Sequence, residues 1–184
     1  DATAYGIWQT VAEYGTASIV NAAGAAFNVT ADANASATTG TGDAYAFAQG
    51  AHQQAEGGLV VLTNDGTFNV SANALATGDY GTATASASGI TANGFGDDGS
   101  FEIDYSNGAA GVFSVVAAAT APEYASANAV GISAQVDGED PASPYTTAQA
   151  ALSGSIVNDG AFTVVASAAG GLVGPVGYAT ASSI

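Results

Sequence analysis

Apolar and polar residues alternate along short stretches of the chain, and one such stretch returns four times. Each copy begins with Phe, places Val two residues later and continues with Ala at alternate positions. The copies begin at Phe27, Phe68, Phe113 and Phe162, which gives spacings of 41, 45 and 49 residues. A period of two predicts β-strands, because successive side chains of a strand point to opposite faces of the sheet.

An Asn-containing turn precedes each of these strands, and a second alternating stretch follows each one. Turns such as Asn64-Asp65-Gly66 contain Gly, which allows positive φ where the chain bends. The second stretches open at Tyr45, Tyr80, Tyr124 and Tyr178. Near the start of the chain, Gly6-Ile7 matches Gly89-Ile90 and Gly131-Ile132 in the later stretches. The repeat is therefore longer than one strand and contains several.

The repeats set the domain organisation. Residues 1–184 are expected to form a single repeat domain, with approximate units at 7–50, 51–89, 90–131 and 132–184. Each unit has about 44 residues, which lies in the range of solenoid and propeller repeats. Both ends fall at nearly the same phase of the repeat, which indicates a window or a unit of a longer array.

The pattern predicts an all-β repeat array, and a parallel β-solenoid is the favoured architecture. In a solenoid, equivalent strands of successive units stack about 4.8 Å apart. The alternative is an antiparallel hairpin array or sandwich, because Asn-Asp-Gly between two strands suits a tight hairpin. The shared apolar face tapers from Phe and Val to Ala, which predicts a core that is wide on one side and narrow on the other.

Charge excludes several classes of function. The chain has 16 acidic residues and no Lys or Arg, so its formal net charge is -16. Nucleic acid and anionic lipid surfaces would repel it, so we expect no nucleic-acid partner. No apolar run approaches the roughly 18 residues that a membrane-spanning helix needs, so we expect no membrane insertion. The chain has no Cys, which removes disulfides and Cys-based zinc sites.

The carboxylates are the main candidates for binding chemistry. Asp43, Asp79 and Glu123 stand just before the Tyr residues, and in a solenoid they would stack as a ladder of like charges unless solvent or a cation separates them. Two further acidic clusters with turn-forming Gly are candidate Ca²⁺ sites, with solvated acidic loops as the alternative. These candidate ligands are Asp97, Asp98, Glu102, Asp104, Asp137, Glu139 and Asp140.

Catalysis is not expected. His52 is the only histidine, and a Ser-His-Asp arrangement would depend on it. Its equivalents in the next repeats are Thr91 and Ser133, so the other repeats lack this side chain. Polysaccharide-cleaving solenoids usually line a groove with aromatic and basic residues, and this chain has no basic residue.

Units such as "GSIVNDGAFTVVASA" resemble the Ala-, Gly-, Asn- and Thr-rich repeat stalks of large bacterial surface or secreted adhesin-like proteins. The resemblance extends over nearly the whole chain and lies in composition and period. It implies a β-rich extracellular fibre or stalk and carries over no catalytic residue.

These features together predict an extracellular structural protein that forms a fibre, stalk or matrix layer at a microbial surface. Open strand edges favour self-association, and Tyr5 with Trp8 are the candidate contacts between subunits. The alternative is an adhesin segment that binds a glycan or a surface through its acidic loops, with Ca²⁺ as the candidate ion of these loops. The two functions differ in their expected sensitivity to chelators.

Overall fold

The chain is a parallel β-solenoid in the computed structural model, which describes residues 1–12, 15–95, 100–137, 151–171 and 177–182. Every strand pair among these residues is parallel, so the expectation of a parallel stack is confirmed and the antiparallel alternative is wrong. Within the described residues, no helix is long and apolar enough to cross a membrane.

Each repeat makes one coil of three strands, and each strand of a coil belongs to a different sheet. Coil 1 consists of β2 (Thr16–Asn21), β3 (Ala26–Ser36) and β4 (Thr41–Glu56). Coil 2 consists of β5 (Leu59–Asn64), β6 (Thr67–Thr77) and β7 (Tyr80–Phe95). Coil 3 consists of β8 (Ser100–Asn107), β9 (Val112–Ala121) and β10 (Tyr124–Asp137). Coil 4 consists of β11 (Ala151–Asn158), β12 (Ala161–Gly170) and β13 (Gly177–Ser182).

Three sheets result from this stacking. Sheet 1 contains β2, β5, β8 and β11, and sheet 2 contains β3, β6, β9 and β12. Sheet 3 has five strands, because β1 (Ala2–Val11) precedes coil 1 and pairs with β4, followed by β7, β10 and β13. In the described part of the chain, sheet 3 therefore has one more strand than the other two sheets.

The core tapers as the sequence predicts. Phe68 and Val70 are fully buried at the start of the sheet-2 strand, and Ala72, Ala74 and Ala76 continue the same face. At the narrow corner the backbones approach closely, so that a Cβ on Gly81 would lie 3.2 Å from the Cβ of Ala76. Small side chains make this approach feasible, and close packing compensates for the small apolar area that each Ala buries.

A glycine in each long strand of sheet 3 changes which side chains face inward. On β4, Gly50 and Ala51 are both buried although they are neighbours, so the alternation shifts by one residue there. Before this point β4 faces sheet 2, since a Cβ on Gly50 would meet the side chains of Phe68 and Val70. Beyond it Gln53 faces sheet 1. The shift lets one strand cover two walls of the core.

Candidate functional site

A ladder of asparagines runs through the corner where sheet 1 turns into sheet 2. Its members are the last residues of β2, β5, β8 and β11, namely Asn21, Asn64, Asn107 and Asn158. Nδ2 of each of the first three donates a hydrogen bond of 2.7 Å to Oδ1 of the asparagine in the following coil. Buried amides cost free energy unless their polar atoms are paired, so this ladder holds successive coils in one register.

The asparagine ladder has a direction. The same three Nδ2 atoms also donate to the carbonyl oxygen of the residue that opens the next sheet-2 strand, at 2.9 Å for Thr67, 3.1 Å for Val112 and 3.0 Å for Ala161. Because a carbonyl only accepts, this second bond fixes which amide atom is the nitrogen. Within the described residues, Oδ1 of Asn21 and Nδ2 of Asn158 are left without a partner. The two ends of the ladder are therefore complementary.

A stack of four phenylalanine rings runs parallel to the asparagine ladder. The ring centroids are 4.6 Å apart for Phe27 and Phe68, 5.0 Å for Phe68 and Phe113, and 4.8 Å for Phe113 and Phe162. The two inner rings are 0% and 1% exposed, whereas the two terminal rings are only partly buried. Each end of the stack thus exposes one ring that an inner coil would cover.

The turn between the asparagine and the phenylalanine alternates in length from coil to coil. Coils 1 and 3 read "NAAGAAF" and "NGAAGVF", whereas coils 2 and 4 read "NDGTF" and "NDGAF". The short turn packs into the long one, since a Cβ on Gly66 would meet the carbonyl oxygens of Ala22 and Ala25. The same holds for Gly160 against coil 3. At this corner the turn length therefore repeats every two coils.

A buried polar network joins sheets 1 and 3. Gln53 is 0% exposed, and its Nε2 donates to Oε1 of Gln9 at 3.0 Å and to the carbonyl oxygen of Ala17 at 3.2 Å. Its Oε1 accepts a hydrogen bond of 3.1 Å from the hydroxyl of Tyr105. Burial raises the pKa of Tyr105, so the phenol remains a neutral donor. The network therefore ties β4 of sheet 3 to β2 and β8 of sheet 1.

Tyr5 and Trp8 lie on the outward face of β1, the edge strand of sheet 3. They are 64% and 61% exposed. The Trp8 ring stacks on the His52 ring with centroids 3.9 Å apart. The centroids of the Tyr5 and Phe47 rings are 5.7 Å apart. These contacts cover the side of each ring that faces coil 1. The role of both residues as contacts between subunits stays a prediction.

His52 occupies the position that the repeat predicts. It pairs in register with Thr91, which pairs with Ser133. Burial lowers the pKa of His52, which favours the neutral imidazole. The stack on Trp8 gives this histidine a packing role.

The candidate calcium ligands are only partly described. Glu102 and Asp104 are exposed on the outward face of β8, and Oδ1 of Asp104 accepts a hydrogen bond of 2.9 Å from Ser155. Asp137 is the last residue of β10. Asp97, Asp98, Glu139 and Asp140 lie outside the described residues. In the part of the chain that is described, no three metal-ligating side chains form a group. Calcium binding stays a prediction.

The expected ladder of like charges before the tyrosines is wrong. Asp43 pairs with Thr82, whose amide and hydroxyl donate to Asp43 Oδ1 at 3.2 and 2.7 Å. Tyr80 pairs with Thr41, which is two residues before Asp43, so Asp79 lies three positions away from Asp43 in the register. The turns that connect sheet 2 to sheet 3 differ in length from coil to coil. An alignment of the coils on their tyrosines is therefore shifted from the observed register by two or more residues. Tyr45, Tyr80, Tyr124 and Tyr178 consequently do not share one ladder.

A small apolar cavity lies between coils 3 and 4. It has a volume of about 20 Å³ and is lined by residues that include Tyr105, Phe113, Ile132, Ile156 and Phe162. This is about the space of one water molecule, and the lining offers it few polar partners. The cavity is therefore too small to hold a ligand larger than water. The strongest candidate for a functional surface is therefore the pair of open ends of the stack.

No family model, no curated protein and no solved structure matches the chain.

Proposed function

We propose that this chain is an extracellular, non-catalytic structural protein that self-associates end to end into a fibre, stalk or matrix layer at a microbial surface. The observation that carries the proposal is the complementarity of the two ends of the coil stack. We call the coil 1 side, with Asn21 and Phe27, the first face, and the coil 4 side, with Asn158 and Phe162, the last face.

Both faces expose core residues that another coil would bury. Phe27 of the first face and Phe162 of the last face are partly buried, whereas their equivalents in coils 2 and 3 are 0% and 1% exposed. Ile156 and Val164 extend the apolar part of the last face. Open strand edges around an apolar centre favour addition of a further coil. A second copy offers the matching coil.

The hydrogen-bonding groups of the two faces also match. The last face offers Nδ2 of Asn158 as a donor, and the first face offers Oδ1 of Asn21 as an acceptor. Two copies joined last face to first face would extend the ladder, whereas two first faces would oppose acceptor to acceptor. This asymmetry favours a head-to-tail array, which grows without closing.

Charge and chemistry support a structural role outside the cell. A net charge of -16 without cationic side chains suits a hydrated surface layer and suits calcium-rich surroundings. The single histidine is packed against Trp8. Solvent-facing ladders such as Asn28 with Asn69, at 2.9 Å, use polar side chains to strengthen the stack.

Electron microscopy and sedimentation of the purified chain, with calcium and then with a chelator, test the proposal. We expect rods much longer than one copy in both conditions, with an axial repeat near 4.8 Å. Single copies at every concentration would refute self-association. Rods that dissolve in chelator would favour the alternative, an adhesin segment whose acidic loops hold calcium and bind a glycan or surface.

A further inference from the structure

The extra strand of sheet 3 creates a conflict at any head-to-tail joint. β1 leads into β2 as β10 leads into β11. If β2 of a second copy adds to β11, as β11 adds to β8, then β1 of that copy must follow directly after β10 in sheet 3. That place is already taken by β13. One of the two strands must leave before the sheets can continue in step.

The two competing strands are equivalent in register and in part in sequence. Thr180 of β13 pairs with Asn128, which pairs with Ser86 of β7. Thr3 of β1 pairs with Phe47, which pairs with the same Ser86. Both strands read Ala-Thr-Ala around this threonine, at residues 2–4 and 179–181. β1 therefore fits the place of β13 without a change of register.

β13 is the weaker occupant of that place. Its pairing with β10 extends from Ala125 to Val130, whereas β7 pairs with β10 from Tyr124 to Asp137. The inward residues of β13 that are described, Ala179 and Ala181, are exposed. They bury little apolar surface, so little free energy holds the strand.

β1 offers a longer and more apolar edge. It is a strand of ten residues, and its inward side chains include Ile7 and Val11. Through the registers of sheet 3, Ile7 corresponds to Ile132 and Val11 to Val136 on β10. β1 would therefore pair with β10 beyond the stretch that β13 covers, with two larger apolar side chains added.

We propose that in the assembled array β1 of one copy displaces β13 of the preceding copy and completes sheet 3 on β10. This proposal rests on the proposed function, because it describes the joint by which copies associate. β13 then acts as a temporary cover of β10, which is released when the next copy docks. β1 stays paired with its own β4 and uses its free edge, so no strand has to thread through another.

The other contacts at the joint repeat the contacts that successive coils make inside the stack. Asn158 Nδ2 meets Oδ1 of Asn21 and the carbonyl oxygen of Ala26, which is in register with Thr67. Phe162 meets Phe27. Coil 4 has the short turn and coil 1 the long one, so the joint repeats the step from coil 2 to coil 3.

Where the strand register can be followed across this joint, no two acidic residues lie opposite each other. Asp32 of the added copy corresponds to Ser167 of β12, through Asn73 and Ala118. A serine hydroxyl can donate to this carboxylate, as a serine already does for Asp104. The joint therefore avoids direct repulsion in a chain that has no cation to offset it.

Cysteine crosslinking tests the displacement, because the chain has no thiol of its own. Variant Thr3→Cys is mixed with variant Asn128→Cys, and a short crosslinker with two thiol-reactive groups is added under conditions that form rods. Equivalent residues of neighbouring parallel strands lie about 4.8 Å apart. We expect a product of twice the chain mass, at a yield several-fold above that of Thr180→Cys mixed with Asn128→Cys. All three positions are exposed, so the variants should fold alike.

A double variant, Thr180→Cys with Asn128→Cys in one chain, reports the opposite state. Its intramolecular crosslink should form in single copies and should reduce rod formation several-fold, because it ties β13 to β10. Rods that form normally from fully crosslinked double variant would overturn the displacement and leave the fibre proposal standing. Absence of rods from the uncrosslinked chain would instead overturn the proposed function itself.

Removal of β13 gives a second readout. A chain that ends at Gly170 should form rods faster than the full chain, because the cover of β10 is gone. Circular dichroism checks that the shortened chain keeps its strand content. Slower or absent rod formation by a folded shortened chain would show that β13 belongs to the joint, contrary to the proposal.

Discussion

Replacing Asn64 by Ala tests whether the asparagine ladder holds the coils together. Asn64 is 0% exposed and makes three side-chain hydrogen bonds: from Asn21 Nδ2 at 2.7 Å, to Asn107 Oδ1 at 2.7 Å and to the Val112 carbonyl at 3.1 Å. At about 1 kcal/mol for each hydrogen bond, and about 1 kcal/mol more for the cavity, the free energy of unfolding should fall by about 4 kcal/mol.

The matched control is Asn158→Ala at the open end of the ladder. Asn158 is exposed and accepts one hydrogen bond, from Asn107. Its loss should lower the free energy of unfolding by about 1 kcal/mol or less. The two variants make the same chemical change in the same kind of turn, so their difference of about 3 kcal/mol isolates the effect of a buried, fully paired position.

Urea unfolding followed by circular dichroism measures the difference, at protein concentrations where sedimentation shows single copies. With a slope of about 2 kcal/mol per molar urea, the midpoint of Asn64→Ala should lie about 1.5 M below that of Asn158→Ala. Equal midpoints would refute the argument, because they would mean that water replaces the ladder at no cost. A changed slope in only one variant would indicate separate unfolding of coils.

Three further predictions concern the glycine, phenylalanine and histidine positions. Gly89→Ala should abolish folding or cost several kcal/mol, because its Cβ would meet a carbonyl oxygen of the next coil and the Phe113 ring. Phe113→Ala should cost about 4 kcal/mol and Phe162→Ala clearly less, since only the first ring is covered on both sides; urea midpoints measure both. Trp8 fluorescence should titrate with a midpoint below pH 6.5, because burial lowers the pKa of His52, on which Trp8 stacks; the stability due to neutral His52 is full above pH 6.5 and is lost as pH falls through the lowered pKa.

Controls make these predictions decisive. Gly24→Ala places a Cβ in open space at a φ of 79°, so it should cost only about 1 kcal/mol. His52→Thr, which copies the next coil, should remove the pH transition of Trp8 fluorescence. A transition that persists in His52→Thr, or a midpoint above pH 6.5 in the unaltered chain, would contradict the assignment. Equal costs for the two glycine variants would contradict the close approach at Gly89.

The sequence predicts the strands and their stacking because its alternation is strict where one face is buried. Phe27 and Phe68, with Val at the second position after each, are enough to set the register of sheet 2. The tyrosines mislead because their ladder positions depend on turn lengths between sheets 2 and 3, which vary. An exposed tyrosine carries no packing penalty for a shift of two residues, so its spacing does not report the register.

The asparagine ladder could be predicted only in part. An asparagine before every turn is visible in the sequence, but Asn is also a common turn residue, so its burial is not evident. What marks Asn21, Asn64, Asn107 and Asn158 is that each occurs two residues after an inward-facing apolar residue and is therefore inward itself. The Gln53 and Tyr105 pair has no such signal, because it joins two different ladders across the core.

The register also explains how an acidic chain tolerates close stacking without a single cationic side chain. A parallel in-register array places equivalent residues about 4.8 Å apart, so a carboxylate repeated at one position would be repelled by its copies. Instead three of the strand carboxylates accept a hydrogen bond from a neutral donor on the neighbouring coil: Asp32 accepts from Asn73 Nδ2 at 2.7 Å, Asp43 from the Thr82 hydroxyl at 2.7 Å and Asp104 from Ser155 at 2.9 Å. None of the strand pairs in the described coils matches two acids. The sequence differences between coils are thus part of what stabilises the stack, and four identical coils with the same acidic content would repel one another.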